Sequence, residues 1–560
     1  MKFFGWIFLF FIMIYIVPLG SRPMIIPDEC RYAEIPREML ASGDLTTPRL
    51  LGMRYFEKPP MQYWLTAGSF RLFGENAFAT RLPSALAVGI TAILIALLVR
   101  QALRDEKLAH LSAMIYMSCG LVYGLGTTAV TDNVFTMFVT GAHGLLFLAI
   151  QERKINRRKL LLLALGGIFI GCGFLTKGFL AFVIPGMTVC AYLLWTRRWR
   201  EFLILPLPIL IFALLPILPW GIAIHRAQDD FWHYFVVVEH LNRATGGAEA
   251  QHAAPWWYFL PFLPLGLLPA GLFVPPALAI GRAAWKEILK QEVFLYALFA
   301  LILPFVFFSA CHGKLPTYIL PCFPPAALLI AAGVQAYFNV GGHHRAYNWV
   351  MSAWGYLMLI VGVFGIGLWY FRHLIPEKVL REIPLSVSVL ITGGVAAFCC
   401  GALMLYSLRG NWRGRMYLFF FGLVLLPLGV SWCITPSRKM PEAIIARFLA
   451  ELEIHPGRTM MVTNGGNAGA VAWTCRKSDV KLFSLGELEY GNNAALRHGE
   501  EPAQVSVVEV GARIADPKRN YPVAVILREG DRRLQQLPAP GRSVTHRRMT
   551  CYLYPAAAPK

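Results

Sequence analysis

Two adjacent carboxylates with an arginine close behind, Asp28-Glu29-Cys30-Arg31, are the first residues in this 560-residue chain whose types and spacing suit chemistry. Asp28 and Arg31 are three apart, so at the start of a helix they share a face, where an acid beside a cation can address a reacting hydroxyl or phosphate. The same spacing equally suits a helix-capping acid and its helical neighbour. In Tyr55-Phe56-Glu57-Lys58-Pro59-Pro60 a lysine able to hold phosphate sits beside a carboxylate able to hold a divalent cation, in a turn fixed by proline; a solvated ion pair is the plainer reading. After the aromatic run from Phe231, Glu239-His240-Leu241-Asn242-Arg243 puts an imidazole and a guanidinium at i, i+3, able to meet one anion or metal, or lipid headgroups. Asp132, Lys177 and the stretch His312-Gly313-Lys314 to Tyr318 add further candidates. For these a helix cap, a hairpin cap and an interfacial anchor are the corresponding structural readings.

These residues are scattered over nearly 300 positions, so the elements between them must bring them to one place. Hydrophobic residues make up 56% of the chain, charged ones 15%, and the mean hydropathy is +0.53. Such a composition belongs to a polytopic membrane protein and excludes an ordinary soluble domain. Apolar segments of spanning length fall near 3–19, 82–99, 108–126, 133–150, 160–175, 178–195, 202–224, 257–280, 291–310, 317–338, 347–371, 385–408 and 416–434, about thirteen crossings. The first is expected to be a retained helix and not a cleaved signal, because no small-residue cleavage site follows it. The net charge of +20 sits in short loops between spans, not in a stripe interleaved with aromatics, so it speaks for topology and against nucleic acid. Arg100, Arg104 and Lys107; Arg153, Lys154, Arg157, Arg158 and Lys159; Arg197, Arg198 and Arg200; Arg282, Lys286 and Lys290; Arg345; and Arg409, Arg413 and Arg415 mark the cytoplasmic loops. Every candidate residue above then follows an odd number of crossings and lies on the opposite face. Loop 372–384, with Arg372, Lys378 and Arg381, is the exception to the charge bias.

Three regions on that face are long enough to be structured: 20–81, 225–256 and a tail from 435. Met61–Phe73 and Phe231–Val238 are too short to span and are expected as interfacial helices. The tail, with helical 441–454 and strand-like 459–463, 480–485 and 523–528, predicts a soluble α/β domain. The fold class is therefore a mainly α polytopic bundle over 1–434, carrying interfacial helices, with an α/β domain at 435–560. Cys30, Cys311, Cys475 and Cys551 lie on the oxidising side, where a disulfide is possible. No inverted repeat is evident and the span interiors are almost free of charge, which disfavours a transporter or lipid flippase.

The series Pro27-Asp28-Glu29-x-Arg31-Tyr32-Ala33-Glu34-Ile35 through Arg37-Glu38-Met39-Leu40-Ala41-Ser42-Gly43-Asp44, Arg54-Tyr55-Phe56-Glu57-Lys58-Pro59, Thr176-Lys177-Gly178-Phe179, Phe231-Trp232-His233-Tyr234-Phe235 with Glu239-His240, and Gly313-Lys314-Leu315-Pro316-Thr317-Tyr318-Ile319-Leu320 resembles the bacterial lipid A aminoarabinose transferases. That resemblance covers most of the membrane region and little of the tail. It implies the GT-C class of membrane glycosyltransferases and transfer of 4-amino-4-deoxy-L-arabinose from undecaprenyl phosphate to a phosphate of lipid A, at the periplasmic face of the bacterial inner membrane. Cationic lipid A and resistance to polymyxin would follow. Carried over by position, the resemblance makes Asp28 the essential aspartate. It sets Arg31, Tyr55, Lys58, Arg243 and Tyr318 around the donor phosphate, and Glu57 with His240 as a pair for zinc or a similar divalent metal. Glu29, Asp132, Lys177 and Lys314 remain further candidates. The expected partners are the undecaprenyl-phosphate-linked donor, the lipid A acceptor and membrane lipid, with the chain acting as a monomer. A GT-C relative that moves another sugar, or that glycosylates protein, would keep Asp28 and the cations.

Overall fold

The computed structural model describes residues 2–242, 253–340, 344–374, 387–409, 412–431, 437 and 439–557. Among the described residues, each of the thirteen apolar segments is built of helix. Among the described residues, eight helices are long and apolar enough to cross a membrane, from Ala77–Leu103 to Leu390–Ser407, and Gly5–Ile16, Leu180–Trp195 and Gly414–Gly429 are shorter apolar helices.

The remaining two segments are broken. One runs as Glu106–Met117 and Gly120–Gly126, the other as Phe259–Leu267, Ala270–Phe273 and Val274–Leu278. Hydropathy alone reads each as one continuous span. The two breaks face each other: Gly120 N donates to Leu268 O at 2.6 Å, and Cys119 bridges to Pro269. Backbone groups freed inside an apolar bundle must find a partner within the protein, so each interruption satisfies the other. Gly120 permits the approach, because a Cβ there would lie 2.6 Å from Leu268 O.

Helix Asp132–Gln151 measures the bundle. Its 20 residues make it about 30 Å long, and its ends lie in different surroundings. At the Gln151 end, Gln151 Nε2 donates to Glu292 at 2.6 Å, Arg153 pairs with Glu292 at 3.2 Å, and Lys159 pairs with Glu201 at 3.0 Å. The basic loops around 153–159 and 197–200 and the one that ends at Glu292 thus meet at one end of the bundle. At the Asp132 end lie the described candidate residues, as crossing parity requires.

On that second face, helices Asp28–Ser42 and Met61–Phe73 and the irregular helix from Phe231 to Asn242 form a platform. Above it the tail folds around a five-stranded mixed sheet. Met460–Thr463 pairs in parallel with Lys481–Leu482 on one side and with Val523–Arg528 on the other, and the latter continues antiparallel into Met549–Tyr554 and Arg542–His546. Platform and sheet domain share one core, in which Cys30, Ile35, Tyr63 and Phe70 pack with Ile445, Phe448, Val471 and Trp473. Gly491 sits so close to the 53–54 strand that a Cβ would meet Arg54 O at 2.5 Å. Cys30, Cys311, Cys475 and Cys551 are all free thiols.

Helix Asp28–Ser42 is buried along most of its length, and its acids titrate in opposite directions. Glu29, fully buried, accepts from Arg81 Nε at 2.6 Å, Arg22 Nη1 at 2.7 Å and Ile25 N at 2.8 Å. Burial pushes its carboxyl up, but the two guanidinium groups outweigh this and lower it from 4.5 to about 2. Glu38 accepts from Leu51 N and Gly52 N, yet burial and the neighbouring Glu34 push it up to about 8. The signs follow from linkage. Glu29 binds its proton more weakly when folded, so it contributes about 3 kcal/mol that is present above pH 4.5 and lost as pH falls toward 2. Glu38 binds its proton more tightly when folded, so its contribution is full below pH 4.5 and is lost as pH rises through 8. In thermal unfolding of the detergent-solubilised chain, Glu38→Gln is therefore expected to flatten the decline in melting temperature between about pH 5 and 8. It should leave the acid limb unchanged.

Candidate active site

The site begins where the chain leaves its first apolar helix. Pro27 precedes helix Asp28–Ser42, and Asp28 and Glu29 occupy its first turn, where negative charge suits the helix dipole. Helical geometry turns the two side chains to different faces. Glu29 looks inward and is saturated by Arg22, Arg81 and backbone amides, so it pins the platform to the bundle. Asp28 looks outward, its side chain 54% exposed.

Arg31 lies one turn on and is 8% exposed. Its Nη2 donates to Asp28 and its Nη1 to the Tyr55 hydroxyl and to Glu487, a residue of the C-terminal domain. Glu57 Oε2 stands 3.9 Å from Nη1, and Nε is buried without a hydrogen-bond partner among the described residues. Tyr55 and Tyr32 each place a ring 5.7 Å from the guanidinium carbon. Burial, together with the nearby Glu57 and Asp28, holds the Glu487 carboxyl above its ordinary range although Arg31 pulls it down.

Lys58 extends the site toward 225–242. Its ammonium donates to the Glu239 carboxylate, which is 6% exposed, and to the Glu57 carbonyl at 2.8 Å. An aromatic wall ties these segments to the C-terminal domain. Tyr234 and Tyr490 have ring centroids 4.0 Å apart, Phe56 lies 5.1 Å from Phe231 and 5.9 Å from Tyr490, and the Tyr490 hydroxyl donates to Asp230 at 2.5 Å.

A second group stands beside the first. Lys177, the last residue of helix Arg157–Lys177, donates to Asp132 at 2.7 Å and lies 5.0 Å from the Tyr318 ring. Asp132 in turn acts on Tyr32, the neighbour of Arg31. The Tyr318 ring thus stands between Lys177 and Phe308, whose ring centroid is 6.1 Å away. Lys314 is 4% exposed and gives its ammonium to the Ala254 and Cys311 carbonyls, which fastens two loops together.

Of the residues singled out in the sequence, then, Asp28, Arg31, Tyr55 and Glu57 meet directly. Lys58 adjoins them, Asp132, Lys177 and Tyr318 form the flanking group, and Glu29 and Lys314 hold the scaffold. Arg243 and the side chain of His240 lie outside the described residues. The sequence reading missed Glu487, Arg81 and Arg22. Arg81 had a usable signal, an arginine at the mouth of an apolar span; an isolated glutamate in a polar tail had none.

Chemically, two cations at the edge of an apolar bundle can hold and neutralise a phosphate whose lipid lies between the helices. As to a metal, among the described residues no three His, Cys, Asp or Glu side chains form a group suited to one. The Glu57 carboxylate faces the Arg31 guanidinium, which answers its charge without an ion.

The family model for dolichyl-phosphate-mannose-protein mannosyltransferase matches residues 1–235, and that for the arabinosyl transferase ArnT C-terminal domain matches residues 436–553. Two curated relatives, from Aeromonas salmonicida (strain A449) and Pseudomonas aeruginosa (strain LESB58), are each 35% identical, over 563 and 555 residues. The alignments cover 98% of this chain and 98% and 97% of theirs. Both carry the name undecaprenyl phosphate-alpha-4-amino-4-deoxy-L-arabinose arabinosyl transferase. Among solved structures, ArnT from Cupriavidus metallidurans bound to undecaprenyl phosphate superimposes with a TM-score of 0.76 at 22% identity, covering 99% of both chains. The fold is the same.

Proposed function

Since the chain belongs to the undecaprenyl phosphate-alpha-4-amino-4-deoxy-L-arabinose arabinosyl transferase family, we propose that it transfers 4-amino-4-deoxy-L-arabinose from undecaprenyl phosphate to a phosphate of lipid A. It is a membrane glycosyltransferase of the GT-C class. The inner membrane, with the site facing the periplasm, is the location we infer, supported by basic loops gathered at the opposite end of the bundle. We take the monomer as the working unit.

One observation carries the mechanism: Arg31, nine-tenths buried, with Asp28 and the Tyr55 hydroxyl on the same guanidinium. A phosphate oxygen of the acceptor attacks the anomeric carbon as the bond from that carbon to the donor phosphate breaks. The electron pair leaves with the polyprenyl phosphate, and the configuration inverts without a sugar–enzyme bond. Charge grows on the leaving phosphate, so Arg31 and Lys58, fixed in a poorly hydrated place, stabilise the transition state more than the same cations could in water. The acceptor phosphate is largely ionised already, so Asp28 orients it or takes its last proton and need not drive a costly deprotonation. No step is routed through a metal; the zinc expected of Glu57 and His240 stays a proposal whose ligand pair the described residues do not complete. An added ammonium on lipid A offsets its phosphate charge and weakens attraction of cationic peptides such as polymyxin.

Mass spectrometry of lipid A from a strain lacking its own transferase, with and without this chain, tests the reading. An added aminopentose is expected only with the chain. A different added sugar, or a glycosylated protein with unmodified lipid A, would redirect the assignment to another GT-C activity, the alternative that the mannosyltransferase match over 1–235 keeps in view.

A further inference from the structure

We propose that the basic end of the bundle, opposite the candidate active site, holds a phospholipid with an anionic headgroup. One acyl chain occupies an apolar pocket between helices Leu180–Trp195 and Pro206–Ala227, and the phosphodiester meets Arg197 and Arg200 at its rim.

The pocket measures about 240 Å³, and Pro185, Gly186 and Leu193 line it from the first helix, Phe202, Pro206 and Leu210 from the chain that follows. Its origin lies in the glycines. Gly167 and Gly171 bring helix Arg157–Lys177 so close to Pro206–Ala227 that a Cβ would meet Ile209 O at 2.6 Å and Ala213 O at 2.2 Å. A Cβ on Gly186, by contrast, meets no atom within 4 Å, so the pocket lies where a side chain would otherwise stand. Leu210 is exposed, which opens the space toward lipid. An apolar space of this size stays dry and accepts an apolar guest. Leu146, also in the lining, is about 21 Å along helix Asp132–Gln151 from Asp132, so the guest comes from the leaflet away from the candidate site.

The rim is basic and set at headgroup depth. Arg197 N donates to Leu194 O at 3.1 Å and Arg198 N to Leu193 O at 2.8 Å, which folds this turn over the pocket's own Leu193. Trp195 and Trp199 stand exposed on either side of the turn, as indoles do at a membrane interface.

Charge complementarity names the occupant. Glu152 pairs with Arg158 at 2.9 Å, and Glu201 with Lys159 at 3.0 Å and with Arg198, so the acids beside this rim are already answered. Arg197 and Arg200 are exposed and form no ion pair among the described residues. Topology explains why basic residues gather at this end, but not why two unpaired arginines border an apolar pocket. A phosphodiester matches the guanidinium fork. A zwitterionic headgroup brings its own cation to the same place, whereas an anionic one leaves both arginines to answer its charge.

Purified full-length chain from nanodiscs of equal phosphatidylglycerol and phosphatidylcholine can be examined by native mass spectrometry for the lipid it retains. Wild type is expected to keep a phosphatidylglycerol in preference to phosphatidylcholine. Gly186→Leu fills the pocket and should lose that lipid. Arg197→Gln with Arg200→Gln should still retain a lipid but lose the preference, by about 5-fold for each arginine. Arg282→Gln, an exposed arginine of another basic loop, should behave as wild type. Phosphatidylglycerol with a photoreactive acyl chain should label the segment 182–210 of wild type, a readout that needs no variant to fold. Unchanged retention by Gly186→Leu, or label confined to other segments, would overturn the pocket. Equal retention of both lipids by wild type would overturn the headgroup reading. Loss of the label on adding undecaprenyl phosphate would also overturn the proposal and give the pocket to a polyprenyl tail.

Discussion

Asp28→Asn is expected to abolish sugar transfer to within detection, a loss on the order of 10²–10⁴-fold in turnover, while the protein still inserts and binds donor. The substitution preserves shape and leaves an oxygen to accept from Arg31 Nη2, and removes only the charge. Little stability is at stake. The side chain is 54% exposed, and a first-turn acid is worth about 0.3–1 kcal/mol through the helix dipole. Single-turnover transfer of labelled donor, with donor binding and melting temperature measured on the same preparation, separates chemistry from folding. Near-normal turnover would leave Asp28 with the dipole role alone. Glu29→Gln, one residue away, should do the reverse. It strands Arg81, which has no exposure at all, and so should cost folding before catalysis can be assayed.

That contrast marks how far the sequence could be read. The thirteen apolar segments were legible because lipid demands length and composition, and both survive in any one-dimensional reading. The two breaks at Ser118-Cys119 and Leu268-Pro269 were not, since what makes them tolerable is each other, 150 residues apart. Crossing parity sufficed to gather Asp28, Glu57, Lys58, Asp132 and Lys177 on one face. It could not tell Asp28 from Glu29, because the difference lies in which helix face meets Arg81. Tyr318 was set near the donor phosphate by resemblance alone; no spacing in the sequence announced that its ring lies 5.0 Å from the Lys177 ammonium.

In the tail, the helix and the three hydrophobic strands were visible from pattern alone. The hairpin Arg542–His546 with Met549–Tyr554 was not, since its outer strand alternates poorly and its turn uses Arg547 and Arg548 at positive φ, where glycine or asparagine would have signalled it. Glu487 shows the general limit. A residue whose meaning comes from docking one domain on another leaves no local trace.

Arg31 and Lys58 supply the second large effect, and here loss of function must be disentangled from stranded acids. Arg31→Ala is expected to lower kcat/KM about 10²–10³-fold, since it removes the cation that meets the leaving phosphate. Arg31→Lys should recover only part of this, because an ammonium keeps the charge and loses the planar fork that Asp28, Tyr55 and Glu487 share. Lys58→Ala raises a different problem. Glu239 is 6% exposed, so removing the lysine that donates to it takes a cation from a buried carboxylate and should lower the melting temperature. Lys58→Ala combined with Glu239→Gln removes both charges together, so melting temperature should return toward wild type while transfer stays low. If turnover recovers along with stability in that double variant, Lys58 serves only to neutralise Glu239, and the donor phosphate is held by Arg31 without it.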